Sequence, residues 1–168
     1  MWRMSCRRVP ATTALAVAVA LALPAAAARA QEHDLEFPAG EACSFALGID
    51  VGGSGKRVER DFHDAEGNLV RSLSAGVGSQ LTFTNLASGE TLALRANGAV
   101  TRTVVNADGS QTVTITGHNV LILFPTDVPA GPSTTLYVGR VVYTVDADAV
   151  FTLQSTSGRE TDICAALT

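Results

Sequence analysis

Short apolar runs separated by turn residues recur from residue 46 to residue 153, and no run in this region has the apolar period of a helix. Runs of about four to eight residues bounded by glycine, proline, asparagine or aspartate are typical of strands in sandwiches and barrels. We count nine candidate strands. The sequence therefore predicts an all-β fold.

Two connections carry most of the expected topology. Gly52-Gly53-Ser54-Gly55 is expected to join residues 46–51 and 57–63 as a hairpin, and Asn97-Gly98 has the composition of a type I′ turn between residues 91–96 and 99–105. Such short connections favour an antiparallel meander. A meander of eight to nine strands avoids exposed edges best by closing, so we expect a single antiparallel β-barrel or a barrel-like sandwich.

Several segments have more specific patterns. Residues 120–124 are continuously apolar, which predicts a strand covered on both faces, and Tyr137, Val141 and Tyr143 share one face of the longest strand, residues 136–145. Residues 74–79 are expected to be a flexible connection, and His118-Asn119 a turn. The segment after residue 153 is expected to be a polar tail that carries Cys164 back towards Cys43.

The N-terminus has the organisation of a secretory signal. Arg3, Arg7 and Arg8 precede an apolar stretch from residue 11 to residue 27, and Ala28-Arg29-Ala30 forms a small-residue cleavage site. The alternative is an uncleaved membrane anchor, but Pro24 interrupts the short apolar stretch. We expect residues 1–30 to be cleaved, residues 31–42 to be a flexible mature N-terminus, and residues 43–168 to form one domain.

Two cysteines remain after the expected cleavage, because Cys6 lies in the signal. Cys43 and Cys164 lie near opposite ends of the domain, and an oxidising compartment favours a disulfide between them. The alternative is a pair of buried free thiols. The bridge would close a loop of 121 residues and tie the two ends of the domain together.

The charge of the expected mature chain excludes one class of function. Residues 31–168 contain 8 basic and 16 acidic residues, a formal charge of −8. Binding to nucleic acid requires clustered lysine and arginine, so we expect no nucleic-acid partner. A second long apolar run is absent from the sequence, and we expect no transmembrane segment in the mature chain.

Five short segments carry a resemblance to a known group. They are Cys43-Ser44-Phe45, residues 62–68 (FHDAEGN), residues 81–86 (LTFTNL), Gly139-Arg140-Val141-Val142 and residues 162–167 (DICAAL). Together they resemble uncharacterised small exported β-rich proteins of actinobacteria. The resemblance implies export, a single β domain and the terminal cysteine pair, and it brings no activity or catalytic residue.

The sequence contains no motif of nucleotide binding, nucleophilic catalysis or zinc and calcium binding. His33, His63 and His118 are far apart and do not have metal-ligand spacing. Asp61 and His63 share a strand face, which could form an acid/base or metal pair, but we favour the interpretation that they belong to the solvated side of an amphipathic strand. We therefore predict no catalytic residue, no metal site and no cofactor.

The candidate ligand-binding residues are one arginine and five aromatic residues: Arg60, Phe62, Phe83, Phe124, Tyr137 and Tyr143. Arg60 lies between Val58 and Phe62 on a face that is expected to turn inward. It could cap an open barrel end with its head in water, pair with a buried carboxylate, or bind a ligand anion. The aromatic residues could line a ligand cavity or simply fill the core.

Two functions remain open at this point. The first is a non-enzymatic exported domain that binds or scaffolds an unknown partner at the cell envelope or outside the cell. The second is a lipocalin-like barrel that binds a small apolar or anionic ligand. A small enzyme is a residual third possibility.

Overall fold

The computed structural model describes residues 32–53, 55–95 and 97–168, and the predicted signal peptide lies outside these residues. Residues 32–168 form one compact unit. It contains ten strands and one short helix: β1 (Leu35–Phe37), β2 (Leu47–Gly52), β3 (Lys56–His63), β4 (Leu69–Val77), β5 (Gln80–Asn85), β6 (Thr91–Leu94), β7 (Gly98–Val105), β8 (Gln111–Leu123), β9 (Ser133–Val145), β10 (Phe151–Asp162) and α1 (Ile163–Ala166). The all-β prediction is confirmed.

The strands form two antiparallel sheets rather than one closed barrel within the described residues. The smaller sheet has the order β1-β2-β5-β6, and the larger has the order β10-β9-β8-β7-β4-β3. Only β7 to β10 follow the expected meander. The expected ring does not form because the chain changes sheets between β2 and β3, β4 and β5, and β6 and β7, which leaves edge strands in both sheets.

Two stretches of chain, β4–β5 and β6–β7, pass from one sheet to the other. β4 pairs with β7 and β5 pairs with β6, and Val77 lies opposite Gly98 and Leu81 opposite Leu94 in the same register. Asn97-Gly98 is therefore not a hairpin turn: β6 and β7 do not pair with each other, and the predicted type I′ turn is wrong. Long-range pairing with β4 and β5 has overridden this local turn preference.

The glycine-rich segment 52–55 also does not close a hairpin. β2 pairs with β1 and β5, whereas β3 pairs with β4 in the other sheet. The segment predicted to be a flexible connection, residues 74–79, is largely strand, because β4 continues to Val77 and β5 begins at Gln80. His118-Asn119 is likewise part of β8 rather than a turn, and β10 replaces the expected polar tail.

A row of glycines crosses the larger sheet. Gly117 of β8 lies opposite Gly139 of β9, which lies opposite Gly158 of β10. All three have positive φ, and a Cβ on Gly117 would collide with the backbone oxygen of Gly98. Side chains are excluded here because neighbouring backbones approach too closely. The row divides the long strands into two halves with different surroundings.

The main core lies between the smaller sheet and one half of the larger sheet. Leu47, Ile49 and Phe83 of the smaller sheet are buried with Ile163 and Leu167 at the C-terminus. The side chains that pack on this core from the larger sheet are Val120, Ile122 and Leu136.

A second cluster covers the other side of β8 to β10. Leu121, Leu123, Tyr137 and Val141 are buried there, with Tyr143, Phe151 and Leu153 against them. The two clusters confirm that residues 120–124 are covered on both faces. They also confirm that Tyr137, Val141 and Tyr143 share a face.

The buried carboxylate of Asp127 links the loop after β8 to the start of β10. Asp127 Oδ2 accepts a 2.6 Å hydrogen bond from the Phe124 backbone nitrogen, and Oδ1 accepts a 3.0 Å bond from that of Phe151. Val128 and Thr152 add a parallel bridge. The irregular crossing loop expected from its prolines therefore has a fixed position.

The two ends of the domain meet at the predicted disulfide. Cys43 and Cys164 are bonded, with 5.6 Å between their Cα atoms. Thr134 Oγ1 donates a 2.9 Å hydrogen bond to the backbone oxygen of Ala42, which is fully buried. Upstream, β1 lies within the segment that the sequence suggested was flexible, and it pairs with β2.

β3 is an exposed edge strand. Val58, Arg60 and Phe62 were expected to face inward, but Val58 is 75% exposed and Arg60 is exposed. The expectation is wrong because β3 crosses to the larger sheet and has only β4 as a neighbour. No helix in the described part of the chain has the length and hydropathy of a membrane span.

Candidate functional site

A cleft of about 530 Å³ opens where the two sheets separate. β8 pairs with β7 as far as Gly117 opposite Ala99, and beyond this point β8 continues beside β9 while β6 lies in the smaller sheet. Leu94 of β6 and Val120 of β8 line the space between the diverging strands. The volume lies within the range of about 300 to 1,000 Å³ that is typical of small-molecule sites.

The cleft has an apolar part that joins the main core. Its side chains are Val51, Leu81, Leu94, Val120 and Leu136. All but Val51 also pack against the buried core cluster, so the protein interior holds them in place. An alkyl chain could bury apolar surface here, at roughly 25 cal/mol per Å² removed from water.

The remaining lining is polar and basic. Arg57, Arg95 and His118 are exposed side chains that line the cleft, together with Asn97 and Asn119. The lining contains no aspartate or glutamate. A carboxylate or phosphate would therefore meet two arginines without a competing carboxylate among the lining residues, and arginine is well suited to bind either group.

Ser79 and His118 are the candidate nucleophile and base among the residues that line the cleft, but no hydrogen bond joins them. An activated nucleophile needs a hydrogen-bonded base, and that base needs an orienting group. The described residues also contain no group of three metal-ligating side chains. The cleft thus presents an apolar wall beside basic side chains.

The six sequence-predicted ligand residues do not lie together and do not line this cleft. Phe83 is fully buried in the main core, and Tyr137 and Tyr143 pack in the second cluster. Phe124 packs against Phe37, with 5.8 Å between ring centroids. Arg60 and Phe62 lie on the edge strand β3, where the guanidinium carbon of Arg71 lies 3.9 Å from the centroid of the Phe62 ring.

The histidines have three different environments. His33 Nδ1 lies 3.1 Å from both carboxylate oxygens of Asp50, and its ring covers Gly48. His63 is exposed at the end of β3. His118, which the sequence placed in a turn, lies on β8 and lines the cleft.

Arg57 and Arg95 were not identified from the sequence as site residues. Both lie beside the segments where the chain changes sheets, and His118 directly follows a glycine inside a strand. The only sequence signal that Arg57, Arg95 and His118 share is a basic side chain near the end of a strand or beside a glycine within one. The pairing of strands remote in sequence brings them together.

Comparison with known proteins adds no family: no protein-family model, no curated protein and no solved structure matches this chain.

Proposed function

We propose that the chain is an exported, non-enzymatic binding domain that holds a small amphipathic anion in the cleft between its sheets. The ligand class is a molecule with one alkyl chain and one carboxylate or phosphate, such as a fatty acid. The single observation that carries the proposal is the cleft composition, an apolar wall continuous with the core beside two arginines and no carboxylate.

Each part of the ligand has a counterpart in the cleft. The alkyl chain would lie against Leu94, Val120 and Leu136, and the anionic group would lie near Arg57 and Arg95. A charge-assisted hydrogen bond is worth about 1.5 to 3 kcal/mol where solvent is excluded, and less for arginines as exposed as these. The arginines therefore provide selectivity for an anion, while the apolar wall provides most of the affinity.

Export supports a role at the cell envelope or outside the cell. The N-terminal sequence has the basic, apolar and small-residue regions of a secretory signal. The disulfide between Cys43 and Cys164 is compatible with an oxidising compartment. A pure scaffolding role would leave the basic and apolar lining of the cleft without a use.

The direct test uses palmitate as the anionic probe and hexadecanol as its uncharged partner. Native mass spectrometry of the exported protein shows whether a lipid is retained, and titration calorimetry compares the two probes. We expect palmitate to bind at least tenfold more tightly than hexadecanol. Replacing both cleft arginines (Arg57→Gln with Arg95→Gln) should remove most of this preference while leaving the weaker hexadecanol binding unchanged.

Arg159→Gln is the matched control, since Arg159 is an exposed arginine on β10 that does not line the cleft. It should bind both probes as the unmodified protein does. Equal loss of palmitate binding in Arg159→Gln would mean that net charge, not the cleft, determines binding. Absence of binding to both probes would overturn the proposal.

A further inference from the structure

One side of β3, β4 and β7 carries exposed apolar residues. Strand register places Val58 of β3, Ala75 of β4 and Val100 of β7 in one row across the sheet. Leu73 and Val77 lie on the same side of β4. Val58 is 75%, Val77 48% and Val100 45% exposed, so this side of the sheet lacks a covering layer within the described residues. We call this side the basic face, because of its charges.

Six of the eight basic residues found from position 31 onward lie on this same side of the larger sheet: Lys56, Arg60, Arg71, Arg102, Arg140 and Arg159. Arg60, Leu73 and Arg102 form one row, so an apolar side chain lies between two cations. No carboxylate occurs on this side of β3, β4, β7, β8 or β9. Glu59 and Asp61 point to the opposite side of β3.

Five of the sixteen carboxylates lie in the turns at one end of the larger sheet. The β3–β4, β7–β8 and β9–β10 turns all lie at this end and contain Asp64, Glu66, Asp108, Asp146 and Asp148. The cleft lies at the other end, where Arg57 and Gly78 directly follow Lys56 and Val77 of the basic face. An anionic surface would therefore attract the basic face and the cleft end and repel the acidic turns.

The charges and the apolar residues together decide among three possible occupants of this face. A second copy bound face to face would bring six cations against six cations, and like charges across an interface are unfavourable. A soluble polyanion would neutralise the cations but would leave Val58 and Val100 exposed. An anionic bilayer satisfies both, because its headgroups meet the cations and its interface accepts apolar side chains.

We propose that the domain docks on an anionic lipid bilayer through the basic face. This site is separate from the cleft, and the inference does not depend on the ligand proposed for it. Docking would place the cleft end nearest to the lipid, where amphipathic anions are found.

The test is sedimentation of the exported protein with vesicles of phosphatidylcholine containing one third phosphatidylglycerol, compared with pure phosphatidylcholine. We expect binding to the anionic vesicles only, weakening as salt is raised. A basic residue near an anionic surface contributes about 1 kcal/mol, so Arg60→Gln with Arg102→Gln should weaken binding roughly 30-fold. Val58→Ser with Val100→Ser should also weaken it severalfold, because it removes apolar contacts.

One control variant and one competitor make the result decisive. Val128→Ser changes an exposed valine in the loop after β8, away from the basic face, and it should bind vesicles within twofold of the unmodified protein. Circular dichroism confirms that each variant is folded. Inorganic polyphosphate that binds as tightly as vesicles, together with unchanged vesicle binding by the valine variant, would identify a soluble polyanion as the occupant and overturn the proposal. Absence of vesicle binding, or concentration-dependent dimers lost in the valine variant, would also overturn it.

Discussion

The side-chain nitrogen Nδ2 of Asn85 donates a 3.0 Å hydrogen bond to the backbone oxygen of Leu167. Oδ1 of the same amide accepts hydrogen bonds from the backbone nitrogens of Ala87 and Ser88. Asn85 is 5% exposed and Leu167 is fully buried, so one buried amide fastens the C-terminal segment to the turn between β5 and β6.

Asn85→Ala should lower the free energy of unfolding by about 2 to 4 kcal/mol, because it leaves the buried Leu167 oxygen and turn amides without partners. Urea denaturation measures the change. Asn68→Ala, which removes a side-chain hydrogen bond in an exposed turn, is the control and should cost less than about 1 kcal/mol. Similar losses in both variants would show that the attachment to Leu167 contributes little.

Removing the disulfide by Cys43→Ser with Cys164→Ser should lower the free energy of unfolding by about 2 to 5 kcal/mol, the usual cost for a small secreted domain. In the unmodified protein, thiol labelling should find neither cysteine reactive until reductant is added. Labelling of both thiols without reductant would contradict the bond.

Gly117→Ala and Gly98→Ala form a matched pair of substitutions in paired strands. At Gly117 the φ of 116° and the collision with the Gly98 oxygen make a side chain unfavourable, and we expect a loss of about 3 kcal/mol or more. At Gly98 a Cβ would lie 3.7 Å from the Gly76 oxygen, an ordinary contact, and stability should change by less than about 1 kcal/mol. Equal effects in thermal unfolding would mean that the glycine row does not constrain the sheet.

Ser74 and Thr134 allow a test of buried hydroxyl groups. Ser74 Oγ is buried without a hydrogen-bond partner among the described residues, whereas Thr134 Oγ1 donates to Ala42. Ser74→Ala should therefore leave stability unchanged or raise it by up to about 1 kcal/mol, while Thr134→Val should lower it by about 1 to 3 kcal/mol. A large loss in Ser74→Ala would reveal a partner for its hydroxyl.

Alkaline pH should destabilise the domain through two tyrosines. Burial raises the pKa of Tyr137 and Tyr143 above the ordinary value of 10.0, and the charge of Glu160 raises the pKa of Tyr137 further. Above pH 10 the unfolded chain loses these protons before the folded protein does, so stability is full below this pH and falls as pH rises. Tyr137→Phe with Tyr143→Phe should flatten the fall in melting temperature above pH 10, and an unchanged slope would rule out these two groups as its cause.

The sequence predicted features that depend on neighbouring residues or on covalent chemistry. The disulfide followed from the predicted export signal and the positions of Cys43 and Cys164, and the shared face of Tyr137 and Tyr143 followed from strand alternation. Prediction from the sequence failed where pairing between strands distant in sequence determines the structure. Asn97-Gly98 has the residues of a tight turn, yet extended pairing with β4 and β5 outweighs that local preference.

The cleft could not be predicted for the same reason. Arg57 and His118 are 61 residues apart in the sequence. Both line the cleft only because β8 and β6 diverge beyond Gly117. The glycine row is equally hidden in the sequence, since Gly117, Gly139 and Gly158 are recognisable as neighbours only once the strand register is known. Recognising the basic face also requires the strand register, because its cations lie on separate strands and alternate there with residues on the opposite side of the sheet.

The two stretches of chain that pass between the sheets, β4–β5 and β6–β7, affect how the domain unfolds. Because β5 follows β4 and β7 follows β6 in one register, we expect fraying of the smaller sheet to loosen β4 and β7, two of the inner strands of the larger sheet. Neither sheet is a separate cooperative unit, and amides of β6 and β7 should exchange with solvent through one shared opening event. Folding must also wait for contacts between distant parts of the chain, which makes it slow and leaves the edge strands exposed to aggregation before the sheets join.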